Sequence, residues 1–248
     1  MSGHSKWSSI KHKKAATDAK RGKAFTKLIK EITIAAKLGG EIDANPRLRQ
    51  AVDKAKVLNM PNDNIKKAIQ RGTGELEGVN YEEISYEGYG PGGVAILIET
   101  LTDNKNRTVA EIRHTFDKYN GKLGEQGCVG YLFSRKGLIV IPTANIEEEE
   151  LMDLVLENGA DDLKTEDDNY EVISSVKEFD NVLNAVKEKG IEILSSDVSM
   201  IPSTLAKIEG KQAQSMLKLY EKLEDLDDVQ NVWSNFDVSD EELEKYNS

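Results

Sequence analysis

From Gly137 to Met200 the chain reads GLIVIPTANIEEEELMDLVLENGADDLKTEDDNYEVISSVKEFDNVLNAVKEKGIEILSSDVSM. Leu138 to Ile141, Asp161 to Thr165, Tyr170 to Ser174 and Ile191 to Met200 read as strands, and Ile146 to Glu157 and Phe179 to Lys189 as helices. The order βαββαβ is that of a ferredoxin-like unit, which closes on itself between about residues 135 and 202. On its first helix Ile146, Met152, Val155 and Leu156 give an apolar side. The run Glu147 to Glu150 enriches the first turn, where carboxylates suit the helix dipole, and reads as a solvated helix start.

The segments on either side need one another. Before the unit come a strand at Val94 to Thr100, a helix at Asn106 to Tyr119 and a strand at Val129 to Phe133. After it come a helix at Lys211 to Leu226 and a strand at Val229 to Phe236. Neither flank has enough strands for a stable sheet, so the last strand is expected to return to the first flank and make a discontinuous α+β domain. Gly88 to Gly93 lead into a strand rather than from a strand into a helix. They therefore predict a hairpin or wide turn and not a phosphate-binding loop.

Upstream the period changes to that of helices. Phe25, Leu28, Ile29 and Ile32, continued by Ala35 and Ala36, follow the i, i+3, i+4, i+7 pattern, and Lys20, Lys23, Lys27, Lys30 and Lys37 fall opposite them. Gly39-Gly40 ends this helix. Two shorter helices follow, one with Asn45 as N-cap and Pro46 at its first position, the other with Asn62 as N-cap and Gly72 as its stop. Their apolar residues can cover the long helix and form a three-helix bundle, leaving Arg47, Arg49, Lys54, Lys56, Lys66, Lys67 and Arg71 mostly outside.

The 248 residues carry a formal net charge of -11, but the charge is unevenly placed. Residues 1–74 hold 17 Lys+Arg against six acids, a balance of +11, and the remainder balances at -22. Such asymmetry points to a segment that meets nucleic acid or a membrane surface. In the first 14 residues Lys6, Lys11, Lys13 and Lys14 accompany Trp7 and several serines. Lysines neutralise phosphates, hydroxyls hydrogen-bond them and an indole can stack on a base. The candidate nucleic-acid-binding residues are Lys6, Trp7, Lys11, Lys13, Lys14, Lys20, Arg21, Lys23, Lys27 and Lys30, with the acidic body expected to face away. Phe25, Leu28, Ile29 and Ile32 read as bundle core rather than as a membrane-inserting face.

Other chemistry is not indicated. His4 and His12 lack carboxylate or thiol companions at ligand spacing, so no metal or other cofactor is expected. A single cysteine, Cys128, excludes an internal disulfide, and His114 falls on the outer side of its helix. No acid pair stands out for general acid–base work, and an enzyme is not expected. No apolar run reaches membrane-spanning length, and the opening residues do not resemble a signal peptide. A cytoplasmic protein is expected.

Ser2-Gly3-His4-Ser5-Lys6-Trp7, Asp18-Ala19-Lys20-Arg21-Gly22-Lys23, Asn45-Pro46-Arg47-Leu48-Arg49 and Asn59-Met60-Pro61-Asn62-Asp63-Asn64-Ile65 resemble the opening of the YebC family. The resemblance continues through Glu87-Gly88-Tyr89-Gly90-Pro91-Gly92-Gly93-Val94-Ala95, Leu101-Thr102-Asp103-Asn104-Lys105-Asn106-Arg107-Thr108 and Gly121-Lys122-Leu123-Gly124. Cys128 stands where relatives commonly carry Ser, in a segment expected to be a strand.

The resemblance implies an α+β protein of three domains without known catalysis. A basic helical domain would occupy residues 1–78 and a discontinuous α+β domain residues 79–134 and 203–248. The ferredoxin-like α+β domain, residues 135–202, would be inserted in the second. It further implies a probable DNA-binding transcriptional regulator. The alternative is a ribosome-associated translation factor that binds ribosomal or transfer RNA and contacts ribosomal proteins. No segment shows the Asn, Gln or Arg pattern of base-edge reading, which predicts backbone docking without sequence readout.

Overall fold

The computed structural model describes residues 18–166 and 168–247, with side chains placed from Arg21 onward except at residues 166, 240, 244 and 247. Lys6, Trp7, Lys11, Lys13 and Lys14, and the side chain of Lys20, lie outside what is described.

Three helices open the described chain: α1 (Asp18–Ala36), α2 (Pro46–Val57) and α3 (Asn62–Thr73). Ile32, Ala35 and Ala36 of α1, Leu48 and Val52 of α2, and Ile65 and Ala68 of α3 form one apolar core, with Phe25, Leu28 and Ile29 packed against it. Asn45 joins two helix ends, as a cap should. Its side-chain oxygen accepts from the Leu48 amide at 3.1 Å, and its amide nitrogen donates to the carbonyls of Ala35 and Gly39 at 2.8 and 2.9 Å.

The expected boundaries of α3 need correction. Pro61 rather than Asn62 precedes the helix, without a side-chain cap, and the left-handed residue that ends it is Gly74, at φ 84°. Gly72 serves another purpose. A β-carbon there would lie 2.3 Å from the Thr33 carbonyl oxygen and 2.6 Å from the Ala36 β-carbon, so only glycine lets α3 approach α1 this closely.

The central sheet is antiparallel, with strands in the order β3-β1-β2-β9: β1 (Glu82–Tyr89), β2 (Ala95–Thr102), β3 (Lys122–Leu123) and β9 (Val229–Ser234). Helix α4 (Lys105–Lys118) follows β2, and α7 (Gly210–Glu224) precedes β9. Ile96 and Ile98 of the sheet, Ile112 and Phe116 of α4, and Met216, Leu219 and Tyr220 of α7 close a core on one face. The last strand does return to the first flank, with Leu97 opposite Trp233. Of the glycine-rich segment, Gly88 and Tyr89 end β1 and residues 90–94 make the turn to β2, with the Gly90 amide bonded to the Val94 carbonyl at 2.8 Å. A further helix, α8 (Asp240–Asn247), reaches this core through Leu243.

Between these flanks the chain forms a second antiparallel sheet in the order β5-β6-β4-β7: β4 (Phe133–Pro142), β5 (Ala160–Glu166), β6 (Asn169–Ser174) and β7 (Ser195–Pro202). Helices α5 (Glu148–Glu157) and α6 (Phe179–Glu188) supply Leu151, Val155, Val182 and Val186 to a core with Ile139, Ile141 and Val172. This is the βαββαβ order and strand arrangement of a ferredoxin-like unit. The expected strand at 129–133 is instead a tight turn, Gly130–Leu132, ahead of β4, and Cys128 belongs to the loop before it rather than to a strand. Phe133 and Met200 of the second sheet meet Ala95, Leu97, Val129 and Trp233 on the reverse face of the first. Two short parallel strands, β8 (Ala206–Lys207) and β10 (Phe236–Asp237), complete the connections.

Candidate nucleic-acid interface

The lysine stripe of α1 is real but does not all face solvent. Lys27 donates to the Glu224 carbonyl at 2.7 Å, Lys23 to the Asp225 carbonyl at 2.9 Å and Lys30 to the Asp227 carbonyl at 2.9 Å. These oxygens lie at and just beyond the C-terminal end of α7, where helix carbonyls lack intrahelical partners and the dipole favours cations. The local sequence makes the need acute, because Glu221, Glu224, Asp225, Asp227 and Asp228 crowd that end with negative charge. Residues spaced i, i+4, i+7 on one helix thus neutralise the end of another. Lys30 is buried, Lys27 half-buried and Lys23 exposed, yet all three bond the body, so the expectation that the acidic body faces away from this stripe is corrected: the body docks on it.

Lys30 goes furthest inward. It is 7% exposed and forms a 2.7 Å ion pair with Asp228, itself 2% exposed. The same carboxylate accepts from Arg107 at 2.7 Å, from the Thr108 hydroxyl at 2.7 Å and from the Thr102 hydroxyl at 3.2 Å. Burial opposes its ionisation, but the bonds from Lys30, Arg107 and Thr108 prevail and hold its pKa down to about 2. Arg107 also pairs with Asp103 at 2.7 Å. The segment Leu101 to Thr108 is therefore a setting for Asp228, with Asn104 capping α4 by accepting from the Arg107 amide at 3.0 Å. None of this partnership is readable from spacing, since Lys30 and Asp228 stand 198 residues apart.

Other cations of the bundle are also engaged. Arg47 binds Glu31 at 2.8 Å and also Glu83 of β1, and these carboxylates raise its pKa further against the opposing effect of burial. Lys54 reaches Asp197 of β7 at 3.1 Å, Lys37 donates to Asn80 at 2.6 Å, and Lys56 lies 3.8 Å from Asp53. Arg21 donates to the Leu58 carbonyl at 3.3 Å and lies over the Phe25 ring, yet stays exposed in the first turn of α1. Lys66, Lys67 and Arg71 of α3 are exposed, and no carboxylate of a described residue pairs with them. They were legible as leftovers of the bundle, but the stripe on α1 drew the assignment because its period is more regular.

The remaining chemistry-bearing groups are built into the scaffold. Glu87 is buried and accepts from the amides of Gly127, Val129 and Gly130 at 2.8, 2.7 and 2.6 Å. Burial works against its charge, but these three bonds keep its carboxyl below the usual range. Cys128 lies in the loop that Glu87 holds, and its thiol is pushed up by burial and by the Glu87 charge, the opposite of an activated nucleophile. His114 is exposed on α4. Among the described residues no three His, Cys, Asp or Glu side chains converge as a metal site, and no helix is long and apolar enough to cross a membrane.

Comparison with known proteins bears on the whole chain. Residues 5–75 match the model of the TACO1/YebC protein N-terminal domain, and residues 81–236 match that of the TACO1/YebC second and third domain. A protein of Geobacter sulfurreducens named "probable transcriptional regulatory protein" is 59% identical over 246 residues, 99% of each chain. One of the same description from Koribacter versatilis is 60% identical over 245 residues, again 99% of each. The crystal structure of a conserved hypothetical protein from Aquifex aeolicus superposes with a TM-score of 0.79 at 44% identity, covering 90% of this chain and 93% of that one. With both family models matched in order and the relatives aligned from end to end, this chain belongs to the TACO1/YebC family.

Proposed function

We propose that this chain is a non-enzymatic regulator of gene expression that binds nucleic acid through its N-terminal end, and that it acts on DNA in the transcriptional role its relatives' names describe. The observation that carries the reading is the segregation of charge. A +11 segment, whose described residues from α1 to α3 fold on their own apolar core, is joined to a -22 remainder. We read the three apolar cores as three domains, residues 1–78, residues 79–134 with 203–248, and residues 135–202, in a cytoplasmic protein.

In this reading Lys6, Trp7, Lys11, Lys13, Lys14, Lys20 and Arg21 hold the phosphate backbone and adjacent bases. Lys23, Lys27 and Lys30 secure the binding domain to the body. Salt dependence is the direct test, because each neutralised phosphate releases condensed counterion. About five contacts weaken duplex binding several-hundred-fold between 50 and 200 mM salt. Binding that is insensitive to salt over that range removes the proposal. Crosslinking in cells followed by sequencing of the attached DNA and RNA identifies the target. Promoter DNA is the expected product, and ribosomal RNA in heavy gradient fractions would transfer the protein to translation.

A further inference from the structure

With much of the α1 stripe committed to α7, α3 carries an open cationic surface among the described residues of the bundle. Ile65, Ala68 and Ile69 turn that helix toward α1, and Gly72 brings the two close. At about 100° per residue, Lys66, Lys67 and Gln70 then lie on the side away from α1, while the exposed Arg71 lies at the flank with its stem packed along Gly78, and Asn64 borders the same flank. The one acid on α3, Asp63, sits in the first turn, where it complements the helix dipole.

The approach to α3 is a short corner. Helix α2 ends at Val57, Asn59 takes the left-handed conformation at φ 56°, and Met60 is buried as the anchor before Pro61 leads into α3. The two helices pack on α1 rather than on one another, which leaves the polar face of α3 outward. The side chains on that face are those that reach base edges, Lys and Arg to guanine and Asn and Gln to adenine.

We propose that α3 is a major-groove helix, with Lys66, Lys67 and Arg71 supplying cationic contacts and Gln70 and Asn64 contacting base edges of B-form duplex DNA. The inference rests on the nucleic-acid reading above and names the duplex. A helix about 10–12 Å across fits the roughly 12 Å major groove of B-DNA. The major groove of A-form RNA is too deep and narrow for it.

The test uses the full chain and fluorescence anisotropy with a 20-base-pair DNA duplex and the RNA duplex of the same sequence. The parent is expected to prefer DNA. Replacing Lys66, Lys67 and Arg71 together by Ala is expected to weaken DNA binding at least about tenfold and to lower the salt slope by about two to three. Lys164→Ala, on exposed β5, serves as the unchanged control, and circular dichroism confirms that the triple variant remains helical. In selection from randomised duplexes, Gln70→Ala is expected to relax the preferred sequence without altering the salt slope.

A triple variant that binds like the parent removes α3 from the interface and leaves the nucleic-acid reading standing. Equal or tighter binding of the RNA duplex overturns the major-groove assignment. A parent that binds neither duplex overturns both proposals.

Discussion

Asp228 shows how much one side chain can decide. Its carboxylate receives a lysine from the bundle, an arginine and a threonine from α4, and a threonine from β2. Removing one partner from a buried pair leaves the other charge uncompensated. Asp228→Ala is therefore expected to cost about 3–5 kcal/mol in urea unfolding at neutral pH. Its folded pKa of about 2 lies below the ordinary 3.8, so the associated stability is present above about pH 4 and is lost as pH falls toward 2. Integrated over that shift the contribution is about 2 kcal/mol. Asp228→Asn should flatten this share of the pH dependence, measured by unfolding between pH 5 and pH 2. Glu87 poses the same question in a loop. Glu87→Ala leaves three amides without their acceptor and should cost about 1–3 kcal/mol, with faster hydrogen exchange at Gly127, Val129 and Gly130.

Elements with a strong period were legible from the sequence, and those defined by partners were not. The apolar spacing of Phe25 to Ile32 located α1, and the cap at Asn45 with Pro46 located α2. Strand β1 carries Glu82, Glu83, Glu87 and Gly88, poor strand formers that are held by pairing with β2 and by the bonds Glu87 makes. No local pattern announces such a strand. Gly72 illustrates the converse, a residue correctly noticed and given the wrong task. Its role is set by α1, 36 residues earlier at Ala36, and local punctuation pointed to a helix stop. Gly72→Ala should separate α1 from α3 and destabilise the chain by about 1–3 kcal/mol, readable as a lowered urea midpoint with unchanged slope.

At the scale of the molecule, the division into a basic end and an acidic body was readable by arithmetic, but its geometry was not. Counting charge suggests parts that avoid polyanions or seek them, whereas the two parts also seek one another. Glutamates in place of Lys20, Lys23, Lys27 and Lys30 look harmless if the stripe is solvated. With Lys30 buried against Asp228, the quadruple variant should instead free the bundle from the body. Small-angle scattering should show a larger radius of gyration while α1 keeps its apolar face.

The long separation between Lys30 and Asp228 also has a consequence in time. A chain made from its N-terminus completes α1 to α3 long before residues 210–228 emerge, since 198 residues divide the two partners. At roughly 5–20 residues per second that interval is about 10–40 s. Throughout it the bundle lacks its acidic cap, so every newly made copy passes through a stage in which its whole lysine face is open beside the machinery synthesising it.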